Sequence, residues 1–315
     1  HLGMVTRNER NAIIQHGTMT MIRRQTLDAV DGWAEWCITE DAELGLRLFE
    51  AGHKALYIPC TYGQGLMPDT FADFRKQRYR WAYGAVRILL HHRRELLGLH
   101  GTSLSLGQRY HFVAGWLPWF ADGFNLLFNF AALAWSVAMV IAPDTVTPPY
   151  ITVALVPLVL FLFKMSKSLF LYRRRVTATL RQSLAAGLAG LALSHTIARA
   201  MFGGLVTGKL GFFRTPKMAE APAVIRALAD AREEALLAFA FLFAAMAVMQ
   251  RDDAFMLDVR IWVAVLAVQA IPYLATVLVS LMSAWTHLSA DLVGPMSDMD
   301  CQEANGVDQP VSREA

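Results

Sequence analysis

Two short stretches hold the side chains whose types and spacing could do chemistry. Thr39-Glu40-Asp41 places a hydroxyl and two carboxylates at the start of an amphipathic run that Gly52 should end. A carboxylate held at a helix end and partly desolvated can accept a proton from an attacking hydroxyl. The same residues also meet a purely structural need, since Thr caps helices and acids in a first turn complement the helix dipole. In the second stretch, Gln77, Arg80 and Trp81 stand three and four positions apart and so project from neighbouring faces of one helix. Thr70 and Asp73 form a capping-box pattern at its start, and Phe74, Trp81, Ala85 and Ile88 mark an apolar stripe. A membrane-surface helix accounts for Arg75, Lys76 and Arg78 but does not require Gln77. The basic cluster from Arg75 to Arg109 points to an anionic neighbour, either lipid headgroups or a phosphorylated ligand.

These stretches need a scaffold, and the composition bounds it. The chain is 55% apolar and only 17% charged, with a net charge of +3, so part of it meets lipid. Nothing in this pattern suggests a nucleic-acid binder. Cys37, Cys60 and Cys301 lack metal-ligand spacing and form no disulfide framework, which places the polar part in a reducing compartment. Residues 1–70 read as an α/β portion, with short apolar runs such as Met19–Ile22 and Lys54–Pro59 expected as strands, and 71–110 as an amphipathic interfacial helix region.

Uncharged runs at Phe124–Ala142 and Thr145–Phe163 are long enough to cross a bilayer and make a first hairpin within 111–181. Ala235–Gln250 and Ile261–Trp285 make a second within 233–286. The segment from 182 to 206 is apolar enough to cross as well, but basic residues flank both of its ends. The positive-inside rule puts both flanks on one side, so 182–232 reads as an interfacial or re-entrant helix and a loop; a fifth span is the alternative. The tail, 287–315, has the composition of a disordered segment. The chain opens at His1 in what reads as the middle of a domain, so a fragment is expected, inactive by itself.

Taken in order, Thr39-Glu40-Asp41, then Gln77-Arg78-Tyr79-Arg80-Trp81, then apolar spans resemble the processive family 2 glycosyltransferases, the group of cellulose, chitin and hyaluronan synthases. The resemblance implies that 1–70 is the C-terminal part of a GT-A type α/β domain, followed by an α-helical membrane region. It further implies an inverting transfer of a sugar from a UDP-sugar donor to a growing β-linked glycan, with export across a bacterial inner membrane and the catalytic part cytoplasmic. Asp41 would be the base, oriented by Glu40 and Thr39. Arg80 and Arg78 would stabilise the leaving diphosphate, while Trp81 and Gln77 meet acceptor or nucleotide. His16, Gly17 and Thr18 would line the acceptor site, and Phe213, Arg214, Thr215 and Lys217 would form a loop closing over the nucleotide. Aromatics such as Trp116, Trp119, Phe124 and Trp135 would line a conduit. A divalent metal, Mg or Mn, belongs to the family, but no metal ligands are assigned in this chain because no Asp-x-Asp pair stands ahead of Asp28. Two other classes remain: a non-processive transferase acting on a lipid carrier, and a non-catalytic membrane scaffold or transporter whose motifs are only caps and headgroup contacts.

Overall fold

The computed structural model describes residues 2–17, 19–58, 60, 63, 68, 70–99, 101–175, 178–208 and 224–285. Thr18, the Phe213–Lys217 stretch, Cys301 and the 287–315 tail lie outside the described residues. The first part contains α1 (Leu2–Glu9), α2 (Arg24–Ala29) and α3 (Glu40–Glu50), joined by extended or turning backbone. No strand occurs among the described residues, so the α/β expectation is not met there. A strand exists only when its amides enter a ladder with a neighbour. In the Lys54–Ile58 run they do not: the Ala55 amide donates to Asn11 Oδ1 at 3.0 Å and the Tyr57 amide to Asn8 Oδ1 at 2.8 Å. Side chains following and ending α1 thus take the place of a partner strand.

Next comes α4 (Phe71–His91), which carries the Gln77–Trp81 motif, then the short α5 (Arg93–Leu97) and α6 (Leu106–Trp116). Thr70 starts α4 as its pattern requires, its Oγ1 accepting from the Asp73 amide at 3.2 Å while its hydroxyl donates to the Asp73 carboxylate at 2.9 Å. Ser105 and Gln108 close a full capping box on α6. One face of α4 packs with α3 and α6 through Leu46, Phe49, Ala85, Ile88, Phe112 and Trp116. Burying side chains of this size contributes roughly 1.5–3 kcal/mol each before entropy is counted.

The apolar half comprises α7 (Pro118–Ile141), α8 (Ile151–Arg175), α9 (Leu180–Ala192), α10 (Ser194–Val206), α11 (Val224–Asp230), α12 (Arg232–Met249) and α13 (Leu257–Ala284). Four stretches are long and apolar enough to cross a bilayer: Pro118–Ile141, Ile151–Arg174, Leu180–Val206 and Leu257–Ala284. The third is interrupted at Leu193, and its two halves have different neighbours: α9 packs on α8 and α13, α10 on α4 and α7. α12 carries Arg232, Glu233 and Glu234 in its first turn. Helices α7, α12 and α13 share a core containing Ala132, Met139, Phe241, Val248, Trp262, Leu266 and Tyr273. Two buried hydrogen bonds cross it, Asn129 Nδ2 to Tyr273 Oη at 2.7 Å and Trp262 Nε1 to Ser136 Oγ at 3.0 Å. Arg251, in the α12–α13 turn, donates to the carbonyls of Met139 and Pro143, giving orphan groups at the end of α7 a cation.

What joins the two halves is α4. Its second face meets α9, α10 and α13 through Phe71, Ala82, Tyr83, Leu191, Ile197, Ala200 and Ala275. Arg75 adds a polar clamp: Nε donates to Thr196 Oγ1 at 3.0 Å, Nη1 to the Asp230 carbonyl at 3.0 Å, and Nη2 to the Glu234 carboxylate. Arg75 and Glu234 keep only 14% and 1% of their side-chain surface. Removing one partner of such a pair strands the other in a medium that solvates charge poorly. Arg75→Met should therefore cost about 3–5 kcal/mol, and the double change with Glu234→Leu should recover much of it. Unfolding midpoints in detergent check this; equal and additive losses from the two single changes would contradict it.

Candidate active site

The helix start at Glu40 is where the local reading and the structure part. Thr39 holds the N-cap position of α3 but makes no side-chain capping bond. Its Oγ1 lies 3.5 Å from Cys37 Sγ and against α4 at Gly84. A Cβ built on Gly84 would fall inside the Thr39 side chain, so only glycine permits this approach. Asp41 Oδ1 accepts from the Ala42 amide at 2.8 Å, and its Oδ2 faces Gly17, where a Cβ would come within 3.2 Å. The His16-Gly17 turn and the acidic helix start, distant in sequence, therefore share one small space.

Electrostatics tie the second stretch to the same place. Burial raises the pKa of the Glu40 carboxyl, the Asp41 charge adds to the rise, and Arg80 opposes it. Arg80 is lowered by burial and supported by Glu40. His16 is lowered, chiefly by burial and further by Arg7, against the pull of Asp41. Burial likewise pushes the Cys37 thiol up to about 11, which leaves it an inert neighbour. Gln77 and Arg80 are half-buried on α4, and Trp81 is 42% exposed. Trp81 thus departs from the apolar stripe expected for it, whereas Ala85 and Ile88 are buried as that stripe requires.

Arg78 is placed differently from Arg80. Its guanidinium carbon lies 4.7 Å from the Phe74 ring centroid and 4.3 Å from that of Trp81. Of the aromatics expected along a conduit, Trp116 is buried against Phe112, Phe124 is exposed, and Trp135 donates Nε1 to the Thr147 carbonyl at 3.1 Å.

Two supports were not singled out by the sequence reading. Gly84 is one; a glycine inside a helix, where alanine is favoured, is the signal that could have found it. The other is Glu43, 1% exposed, which accepts from Arg47 Nε at 2.8 and 3.0 Å and pairs with His92 Nε2 at 2.9 Å. Arg47 in turn donates to the carbonyls of Val30 and Gly32. Burial alone would raise the Glu43 pKa, but the His92 and Arg47 hydrogen bonds outweigh it and hold the carboxyl low. The i, i+4 spacing of Glu43 and Arg47 was visible, but His92 and the two carbonyls were not.

A motif-bearing pair of elements meeting in this way can be compared with known proteins. Residues 3–165 match the profile of Glycosyl transferase family group 2, just over half of the chain. The chain belongs to this family. A cellulose synthase catalytic subunit (UDP-forming) of Pseudomonas fluorescens is 32% identical over 125 residues, covering 40% of this chain and 16% of that protein. A probable glycosyltransferase of Bacillus subtilis is 31% identical over 74 residues, 24% of this chain and 18% of the relative. A probable glucomannan 4-beta-mannosyltransferase of Arabidopsis thaliana is 27% identical over 89 residues, 28% and 17% respectively. The chain thus spans less than a fifth of the length of these relatives.

Family 2 transferases generally use a divalent metal. Among the described residues no group of three or more His, Cys, Asp or Glu side chains converges to hold one. Asp41 Oδ2 faces Gly17 and the Glu40 charge is balanced by Arg80, so the donor set for a metal is incomplete here and no chemistry is routed through it.

The Gly84 contact carries its own test. Helix propensity alone favours Gly84→Ala by about 1 kcal/mol, whereas forcing a methyl into a filled space costs roughly 1–3 kcal/mol. Overpacking should win, and the unfolding midpoint of Gly84→Ala should fall. A rise would mean that Thr39 does not press on α4.

Proposed function

We propose that this chain forms the acceptor side of a membrane-bound inverting hexosyltransferase, which moves a sugar from a UDP-sugar to a β-linked glycan. One observation carries the reading: the Thr39–Gly84 contact sets Asp41 and the His16-Gly17 turn beside the helix bearing Gln77, Arg80 and Trp81. The names of relatives supply the substrate class, a UDP-forming cellulose synthase and a mannosyltransferase.

Asp41 takes the proton from the acceptor hydroxyl as its oxygen attacks the anomeric carbon, and the bond to the nucleoside diphosphate breaks on the opposite face. Thr39 and Glu40 orient the base and the acceptor. Arg80, already partly desolvated, presents a planar cation to the diphosphate as negative charge gathers on it. Trp81 offers an apolar ring to the acceptor sugar, with Gln77 hydrogen-bonding beside it. His16 and Gly17 bound the acceptor space; Thr18, and Phe213, Arg214, Thr215 and Lys217, assigned to acceptor and nucleotide by the family resemblance alone, lie outside the described residues. Ligands for the divalent metal of the family would lie outside the described residues. The apolar helices hold the protein in a membrane, proposed as a bacterial inner membrane with the catalytic side cytoplasmic.

Asp41→Asn keeps the shape of the side chain and removes its basicity. In the protein at its full natural length, incubated in membrane vesicles with UDP-sugar and acceptor, this change should lower transfer by about 10²–10⁴-fold with normal expression. Undiminished transfer would remove Asp41 from the chemistry and leave its carboxylate to the helix start alone. Product length in the same assay separates a processive enzyme from one that adds a single sugar to a lipid carrier.

A further inference from the structure

Arg78 has the side chain of a phosphate ligand, but its surroundings suit another task. Its Nε is buried and has no hydrogen-bond partner among the described residues. A guanidinium can grip a phosphate side-on through Nε and one terminal nitrogen, or end-on through its two terminal nitrogens. The side-on edge is closed here. Burial also lowers the pKa of Arg78, with only Tyr172 opposing. The guanidinium instead sits over two rings: Phe74, Arg78 and Trp81 stand at i, i+4 and i+7 on α4, with the guanidinium carbon 4.7 Å from one ring centroid and 4.3 Å from the other.

We propose that Arg78 is a positioning residue, a planar brace that stacks on the Trp81 indole and fixes its orientation so that the open part of the ring can receive an acceptor sugar. The proposal rests on the reading of Trp81 as the acceptor platform. It separates two arginines of one motif: Arg80 is coupled electrostatically to Glu40, while Arg78 acts through its neighbour. The stack is favourable in two ways. A cation over an indole face gains electrostatic attraction, more so when desolvated. Arginine also does this as a plate, which lysine cannot.

The experiment uses the full-length protein in nanodiscs, with a short β-1,4-linked gluco-oligosaccharide as acceptor probe and UDP as competitor of the donor. Arg78→Met should raise the acceptor KM by roughly 3- to 30-fold, the range cation–π contacts span from exposed to desolvated sites, and leave UDP inhibition unchanged. Arg78→Lys, the milder change in case methionine disturbs folding, should recover only part of the loss. In a Trp81→Ala background, Arg78→Met should add nothing to the acceptor KM, because the brace then has nothing to hold. Weakened UDP inhibition with an unchanged acceptor KM would return Arg78 to the diphosphate and overturn the proposal. Additive effects of the two changes, or full recovery with lysine, would also overturn it. If Trp81→Ala alone leaves the acceptor KM untouched, the platform reading itself fails and the brace falls with it. That result is distinct from every outcome in which Trp81 matters and Arg78 does not.

Discussion

The side chain of Thr39 rests on the bare backbone of Gly84, and the geometry of the whole site follows from that contact. It fixes the distance between α3 and α4, and with it the distance from the Asp41 carboxylate to the residues one and two turns earlier on α4. Gly45 does the same on the other side of α3, where a Cβ would come within 3.2 Å of the Gln15 side chain. The acidic helix is thus held between two surfaces by residues without side chains. Glu43 and Arg47 then stop it from rotating, since either turn of the helix would pull a buried carboxylate from its partners.

α4 serves two environments at once. One face is packed in a conventional apolar core, and the other is tied by Arg75 and Tyr83 to helices of the apolar bundle. The Tyr83 hydroxyl meets Thr207 Oγ1 at 3.0 Å, and the Gly203-Gly204 pair on α10 lets that helix approach Tyr79 and Val86 closely. Polar anchors on one face and apolar packing on the other make the helix a rigid joint. Movement of the bundle against the polar part must pass through it.

Much of this was legible in the sequence where the signal is local. The spacing of Gln77, Arg80 and Trp81, the Thr70 cap and the helix stop at Gly52, whose φ is +83°, depend on neighbours within a turn or two. Family membership followed from the same short-range patterns. What depends on distant partners was not legible. Thr39 reads as a cap, yet its hydroxyl turns to Cys37 and Gly84, contacts no pattern along the chain announces. The Lys54–Ile58 run reads as a strand, but Asn8 and Asn11 satisfy its amides. Arg78 and Arg80 look equivalent on paper; burial of a single Nε distinguishes them.

The two hydrogen bonds between α7 and α13 have a mechanical meaning. Asn129 and Ser136 are seven residues apart and lie on one side of α7, each joined to a long aromatic side chain of α13. In hydrocarbon a lost partner cannot be replaced by solvent. Sliding α13 by one turn, or twisting it by one residue, would break both bonds together. The pair therefore works as a keyed shaft. α8 is held more loosely: only 6% of its apolar window is buried, and Lys164 Nζ meets Asp122 of α7 at 3.4 Å.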